Sequence, residues 1–280
     1  MRDKKEVLIT GTSSGFGLMA SLSFAKAGYH VIATMRDLRK QNQLVQLAET
    51  EGLTELIEIV QLDVNEGEQA SEKVRQIIES VGRIDVLVNN AGYAAGGFIE
   101  DIPLDEWKRQ FDTNFFGIVS VTNAVLPFMR KQKSGMILNI SSISGRVAFP
   151  GMGPYVASKF AVEGYSETLR LEMKKYGIHV VLIEPGSYKT DIWEKSLAEF
   201  TEKPNSAYKS QLSSMLGQVK QISKGAGDPE EVSKLMVKVA DTANPSLRYP
   251  IGKGVKASVR LKNTLPWKWI EKIITKQIDY

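Results

Sequence analysis

The chain predicts an α/β domain in which one doubly wound parallel sheet carries helices on both faces, and three observations lead there. Short apolar runs alternate with helix-period segments from Val7 to Ile183. Most of the runs break into Gly, Asn, Ser or Asp at their carboxyl ends, where such sheets bind ligands. The chain is also long enough for this layout, with 280 residues that are 42% hydrophobic and 24% charged.

Val7-Leu8-Ile9-Thr10 is the first strand, and it breaks into Gly11-Thr12-Ser13-Ser14-Gly15-Phe16-Gly17. A helix follows through Leu18, Met19, Leu22 and Ala25 and stops at Gly28. Strand, glycine turn and helix aim backbone N–H groups and a helix N-terminus at a phosphate. The spacing is G-x-x-x-G-x-G, and its place after the first strand favours a nucleotide site over an ordinary turn.

His30–Thr34 is the second strand. In folds of this kind an acid at its end bonds the ribose 2′-OH of NAD. Met35 stands there instead, followed by Arg36. A guanidinium pairs with a 2′-phosphate, so NADP(H) is the expected cofactor. The competing reading makes Arg36 a solvated residue and gives the acid role to Asp37.

A helix over Leu38–Glu49, a strand over Leu56–Gln61 and Asp63-Val64 come next. An amphipathic helix through Val74, Ile77, Ile78 and Val81 then ends at Gly82. The strand Ile84–Val88 runs into Asn89-Asn90-Ala91-Gly92. Small and amide residues suit backbone packed under a ligand, and Asp63 is placed to bond an adenine amino group; both also suit plain turns. The following helix, about Asp105 to Arg130, carries Asn114 in its middle, a poor interior residue that points to a specific task.

Met136–Ile140 is the fifth strand and flows into Ser141-Ser142. After a loop from Gly145 to Gly153, Tyr155 opens a helix that runs to about Tyr176, with Gly177 as its stop. Lys159 then lies one turn beyond Tyr155 on the same face. An ammonium beside a phenol favours the phenolate, which makes the pair a proton donor and acceptor near neutrality, with Ser142 placed to hold a carbonyl or hydroxyl oxygen. His179–Ile183 is the sixth strand and ends in Glu184-Pro185-Gly186.

The periodicity then loosens from Ser187 to Ala226, a candidate substrate lid or a surface excursion. Asp228-Pro229 starts a helix that ends near Asp241, and Arg248–Ile251 is a last strand. Residues 1–251 are thus expected to form one catalytic domain and 252–280 a basic extension. From Lys253 to Tyr280 there are seven Lys/Arg and two Asp/Glu, so the +4 of the whole chain leaves the catalytic body at −1. Such a body does not fit a nucleic-acid binder. Within the extension, Leu265–Tyr280 looks like one basic amphipathic helix, with Trp267, Trp269, Ile270, Ile273, Ile274 and Ile278 among its lysines. Packing on the protein itself is its default reading; an anionic membrane surface or a partner subunit is the alternative.

With no cysteine there is no disulfide or thiolate site. His30 and His179 each precede a strand-like run and read as strand-edge residues, so no metal is expected. The start of the chain is neither a signal peptide nor a membrane span, and the expected compartment is the cytoplasm.

Taken together, Thr10-Gly11-x-x-x-Gly15-x-Gly17, Asn89-Asn90-Ala91-Gly92, Asn114, Ser142, Tyr155-x-x-x-Lys159 and Pro185-Gly186 resemble the classical short-chain dehydrogenases/reductases over roughly residues 5–251. VIATMRD and YVASKFAVEG resemble the branch with the 17β-hydroxysteroid and retinol dehydrogenases. The resemblance implies a Rossmann-like fold with a seven-stranded sheet, a nicotinamide cofactor and a catalytic tetrad of Asn114, Ser142, Tyr155 and Lys159. Tyr155 is then the general acid/base and Lys159 lowers its pKa and binds the nicotinamide ribose. Ser142 orients the substrate oxygen, and Asn114 helps hold a relay water.

The implied cofactor set is Gly11, Ser13, Ser14, Gly15, Phe16 and Gly17 at the pyrophosphate turn, Arg36 at the ribose, and Asp63, Val64, Asn90, Ala91 and Gly92 toward the adenosine half. Pro185, Gly186 and Thr190 complete it, while Tyr188 stands where the family often has Val. An NADP(H)-dependent carbonyl reductase/alcohol dehydrogenase acting on a fairly apolar substrate is the expectation, assembled as a dimer or tetramer through the Asn114 and Tyr155 helices. The alternative is a nucleotide-sensing or scaffolding protein of the same fold that does no chemistry.

Overall fold

The computed structural model describes residues 4–192, 200, 205–212, 217 and 225–276. Its seven strands are β1 (Glu6–Thr10), β2 (His30–Met35), β3 (Ile57–Gln61), β4 (Val86–Asn89), β5 (Gly135–Ile140), β6 (Ile178–Pro185) and β7 (Arg248–Ile251). They form one sheet in the order β3-β2-β1-β4-β5-β6-β7, and every pairing is parallel. The strand order reverses between β1 and β4, which is where a doubly wound sheet opens its ligand crevice.

The strands are apolar on both faces because both are covered. Val7 and Ile9 of β1 turn to one layer, and Leu8 between them turns to the other. The first layer is built by α1 (Gly15–Lys26), α2 (Asn42–Thr50) and α7 (Pro229–Ala240), through residues such as Leu22, Phe24, Leu44, Val232 and Met236. The second is built by α3 (Glu68–Val81), followed in the chain by α4 (Leu104–Phe111), which packs on α6, and by α5 (Gly117–Gln132) and α6 (Gly153–Met173), with Val74, Ile78, Val125, Met129 and Leu169 in its core. Gly82 and Gly177 stop their helices with φ of +83° and +70°, as left-handed glycine caps do. Among the described residues no helix is long and apolar enough to cross a membrane.

Several details differ from the sequence reading. Tyr155 is the third residue of α6 and does not open it; Gly153 and Pro154 supply the first turn. The long helix around Asn114 runs from Leu104 to Gln132, and a π-turn at Asp112–Phe116 divides it into α4 and α5. His30 and His179 do keep their expected places at strand starts, as the first residue of β2 and the second of β6, and the buried His30 Nδ1 sits 2.7 Å from Glu6 Oε2. The C-terminal extension is two helices, α8 (Val255–Thr264) and α9 (Trp267–Lys276), broken at Leu265-Pro266 because proline cannot continue a helix. Ile278, expected on its apolar face, lies outside the described residues.

Much of the candidate lid, Ser187–Ala226, also lies outside the described residues. The part that is described packs over the loop after β4. Tyr208 stacks on Phe98 at 4.6 Å between ring centroids, and Ser206 Oγ donates to Asp101 Oδ2 at 2.6 Å.

Candidate active site

The glycine turn between β1 and α1 lies at the strand-order reversal and is held from beneath by the turn after β4. Asn90 Nδ2 donates to the carbonyls of Thr10 and Gly11, both at 2.9 Å, and the N–H groups of Asn90 and Ala91 both donate to Thr10 Oγ1 at 3.0 Å. A Cβ on Gly17 would lie 2.2 Å from the Gly11 carbonyl oxygen and 2.4 Å from Asn90 Nδ2, so a side chain there is incompatible with this brace. Gly11 has φ +71°, and a Cβ on it would meet Ala91 Cα at 2.7 Å. Ser14 is the N-cap of α1 but makes no side-chain cap bond, and the first turn contains no acid. The helix N-terminus therefore retains donors for an external anion, which fits a dinucleotide pyrophosphate.

Around that turn the expected cofactor residues gather at strand ends. Ser13 lies within the turn, and Thr190, beyond β6, comes within contact distance of a Cβ built on Gly15. Asp63 and Val64 follow β3; Asp63 Oδ1 accepts from Asn65 N at 3.0 Å, and Val64 packs over Gly117. Gly92 lies under Asn114, whose Oδ1 would be 3.1 Å from a Cβ there. Pro185 ends β6, and Gly186 N donates to Ile251 O at 2.9 Å. Phe16 packs edge-on against Tyr188, 5.6 Å between centroids. Tyr188 itself is buried and its phenol donates to Glu231 Oε2 at 3.3 Å, so it fills the space between the turn and α7.

At the end of β2, Met35 is buried and Arg36 is exposed. Asp37 is engaged elsewhere: its carboxylate accepts from Arg39 Nε at 2.8 Å, Nη2 at 2.9 Å and the Arg39 backbone N–H at 3.1 Å. Those bonds hold its pKa below the usual carboxylate range.

Ser142, Tyr155 and Lys159 converge where β5 meets α6. Ser142 follows β5 by two residues and its Oγ accepts from Ser144 N at 3.1 Å, which fixes the turn. Tyr155 is buried, and burial pushes its phenol above the ordinary pKa, with hydrogen bonding from Ser142 opposing the shift. Lys159 Nζ lies 5.7 Å from the Tyr155 ring centroid and donates to Ile140 O at 2.8 Å. Burial lowers Lys159 to about 8, partly offset by Glu163, so it remains mostly charged at neutral pH. In the protein alone, burial is thus the largest influence on the phenol and acts against the phenolate.

Asn114 is fully buried in the π-turn. Its Oδ1 accepts from Tyr93 N at 3.0 Å, and its Nδ2 donates to Tyr93 O at 2.9 Å and Ser158 Oγ at 3.3 Å. It therefore joins the loop after β4 to the Tyr155 helix. A π-turn is how a long helix turns one such side chain inward without breaking.

Sequence reasoning missed the polar cluster behind these residues. Ser141 Oγ donates to Glu163 Oε1 at 2.6 Å, and Arg248 Nε lies 2.9 Å from Glu163 Oε2 and 3.2 Å from Glu184 Oε1. A readable signal existed, since Glu163 falls one turn past Lys159 on the buried face of α6. Gln110 was missed too: its Oε1 accepts from Ala95 N at 2.7 Å and its Nε2 donates to Tyr93 O at 2.9 Å, holding the same loop as Asn114.

A family model described as short chain dehydrogenase matches residues 5–200. The chain belongs to the short chain dehydrogenase family. This dehydrogenase is 44% identical over 279 residues to the uncharacterized oxidoreductase YusZ of Bacillus subtilis, covering 99% of each chain. It is 36% identical to a 3-ketodihydrosphingosine reductase of Bacteroides thetaiotaomicron, over 88% of this chain and 87% of that one. Bovine retinol dehydrogenase 8 is 37% identical over 87% of this chain and 80% of its own, in keeping with the branch resemblance.

Among solved structures, a short-chain dehydrogenase from Streptomyces avermitilis superposes with a TM-score of 0.79 at 31% identity, covering 97% and 98% of the two chains. A gluconate 5-dehydrogenase from Burkholderia cenocepacia, in complex with NADP and tartrate, gives 0.75 at 25% identity over 91% and 96%. A Burkholderia phymatum relative in complex with NAD gives 0.80 at 27% over 92% and 92%. The family is one of oxidoreductases that use a nicotinamide cofactor.

Proposed function

We propose that this dehydrogenase interconverts a carbonyl and an alcohol with NADP(H), using Tyr155 as general acid/base. The observation that carries the reading is the convergence of Ser142, Tyr155 and Lys159, all buried, at the carboxyl end of β5. A nicotinamide cofactor supplies or accepts the hydride. Gly11, Ser13, Ser14, Gly15, Phe16 and Gly17 would hold its pyrophosphate, with Asp63, Val64, Asn90, Ala91 and Gly92 toward the adenosine and Pro185, Gly186 and Thr190 on the other side.

Ser142 donates a hydrogen bond to the substrate oxygen and sets its position. In reduction, Tyr155 gives its proton to that oxygen as the carbonyl carbon becomes tetrahedral; in oxidation, the phenolate takes the hydroxyl proton back. Lys159 holds a positive charge beside the phenol that stabilises the phenolate, and binds ribose hydroxyls. Asn114 anchors the water through which the proton returns to solvent.

Preference for NADP(H) rests on Arg36, exposed where a 2′-phosphate would lie, and on Asp37, whose carboxylate is occupied by Arg39. An apolar substrate fits the walls: Gly97 bridges to Met152, and Phe98 packs with Tyr208, Leu212 and Phe200 of the segment proposed as a lid. Residues 1–251 would act as one catalytic domain. Pairing of subunits through the Asn114 and Tyr155 helices fits the exposure of Phe116, Phe160 and Leu171.

Oxidation of NADPH against a panel of aliphatic and polycyclic ketones and aldehydes tests the activity directly. Turnover of apolar members supports the reading. Failure with every carbonyl, while NADPH still binds, would favour a nucleotide-sensing role.

A further inference from the structure

The proposed reaction makes no use of the C-terminal helices. Residues 253–276 contain seven Lys/Arg and a single acid, Glu271. They also contribute four of the nine large hydrophobic side chains exposed among the described residues: Leu261 at 47%, Trp267 at 57%, Trp269 at 64% and Ile273 at 45%. The expectation that this amphipathic segment packs on the protein itself holds for one edge only. Ile270 is 5% exposed and Ile274 is half-buried, while Trp269 and Ile273, four residues apart, stand on the adjacent open side.

Lys268, Lys272 and Lys276 form the next stripe around α9, and none of them pairs with an acid among the described residues. Lys262 sits between two aromatic rings, its Nζ 5.8 Å from the Phe160 centroid and 5.7 Å from that of Trp267, so its ammonium faces both and ties α8 to α6 and α9.

The pair is seated beside the proposed site. Val255 lies so close under Gly186 that a Cβ on that glycine would be 2.6 Å from Val255 Cγ2, and Lys262 Nζ reaches Arg146 O at 3.4 Å. Its base is thus the carboxyl end of the sheet, against the loops that follow β5 and β6.

We propose that α8 and α9 dock the enzyme on an anionic lipid surface. Trp269 and Ile273 enter the headgroup boundary, and the lysine stripe faces lipid phosphate. Tryptophan is the residue that interfaces favour, because its ring is apolar and its N–H still needs a partner. A cationic stripe flanking the aromatics supplies the second signal that stable surface binding needs. Ten residues of helix are too few to span a bilayer, so α9 lies in the plane of the surface.

The test is flotation of the full-length protein with vesicles of phosphatidylcholine alone, or with about 30% phosphatidylglycerol added. Wild type is expected to float with the anionic vesicles only. The variants W269A/I273A and K268E/K272E/K276E are each expected to partition at least about tenfold less. Both should keep wild-type turnover of a water-soluble carbonyl, which separates lost docking from lost folding.

Wild type remaining unbound with both vesicles would overturn the proposal, as would variants that float like wild type. A fall in solution mass on W269A/I273A substitution, without flotation of wild type, would instead assign this face to a second copy of the chain.

Discussion

Lys159 Nζ donates to the carbonyl oxygen of Ile140 at 2.8 Å, which ties the proposed proton-transfer helix to the last residue of the strand that leads into Ser142. One buried hydrogen bond thus links the two elements that carry the proposed chemistry. Its cost is a buried ammonium.

That cost predicts a stability effect opposite to the effect on activity. Burial lowers Lys159 from 10.5 to about 8, equivalent to ~3 kcal/mol of unfavourable charging. Lys159→Met removes this cost but leaves the Ile140 carbonyl without its partner, so a net gain of about 1–2 kcal/mol at pH 7 is expected by urea denaturation. Below about pH 8 the lysine is protonated in both folded and unfolded wild type, and the gain is full; between about 8 and 10.5 the folded state loses its proton first, and the gain shrinks. Turnover of the same variant should fall by about 10²–10⁴-fold. A stability difference that does not change with pH would contradict the buried-charge account.

The brace between Asn90 and the glycine turn predicts intolerance at Gly17. Gly17→Ala places a Cβ 2.2 Å from the Gly11 carbonyl oxygen and 2.4 Å from Asn90 Nδ2. Accommodating it should cost about 1–3 kcal/mol and displace the turn. Cofactor affinity, measured by quenching of protein fluorescence, should drop by more than the stability loss alone explains. Near-wild-type affinity would mean that the turn is not the pyrophosphate site.

Arg36→Leu addresses the cofactor. Loss of charge-assisted bonds to a 2′-phosphate should weaken NADPH by about 10- to 100-fold and leave NADH nearly unchanged. Equal losses for both cofactors would remove the basis for the NADP(H) preference.

Much of this was legible in the sequence for a physical reason: the proposed site residues sit at strand ends, and strand ends are marked locally. Apolar runs buried on both faces, broken by Gly11, Asn89 or Ser141, revealed the sheet and its functional edge together. Helical spacing places Tyr155 and Lys159 on one face, and the motifs in the rest of the chain set the pair apart from an ordinary amphipathic helix. What was missed is non-local. Glu163 meets Arg248 across 85 residues, Gln110 holds a loop 15 residues before it, and Tyr188 fills a gap whose shape only folding defines. Spacing also shows the ammonium near Tyr155 but not the depth of burial that raises the phenol. The break between α8 and α9 was signalled by Pro266, outweighed in the reading by the apolar pattern after it.

Replacing the Tyr155 hydroxyl tests the central claim most directly. Tyr155→Phe should bind NADPH with the affinity of wild type, by fluorescence titration, while turnover of a carbonyl substrate falls by about 10²–10⁴-fold at every pH. Turnover within a few-fold of wild type would contradict the assignment of Tyr155 as the group that moves the proton.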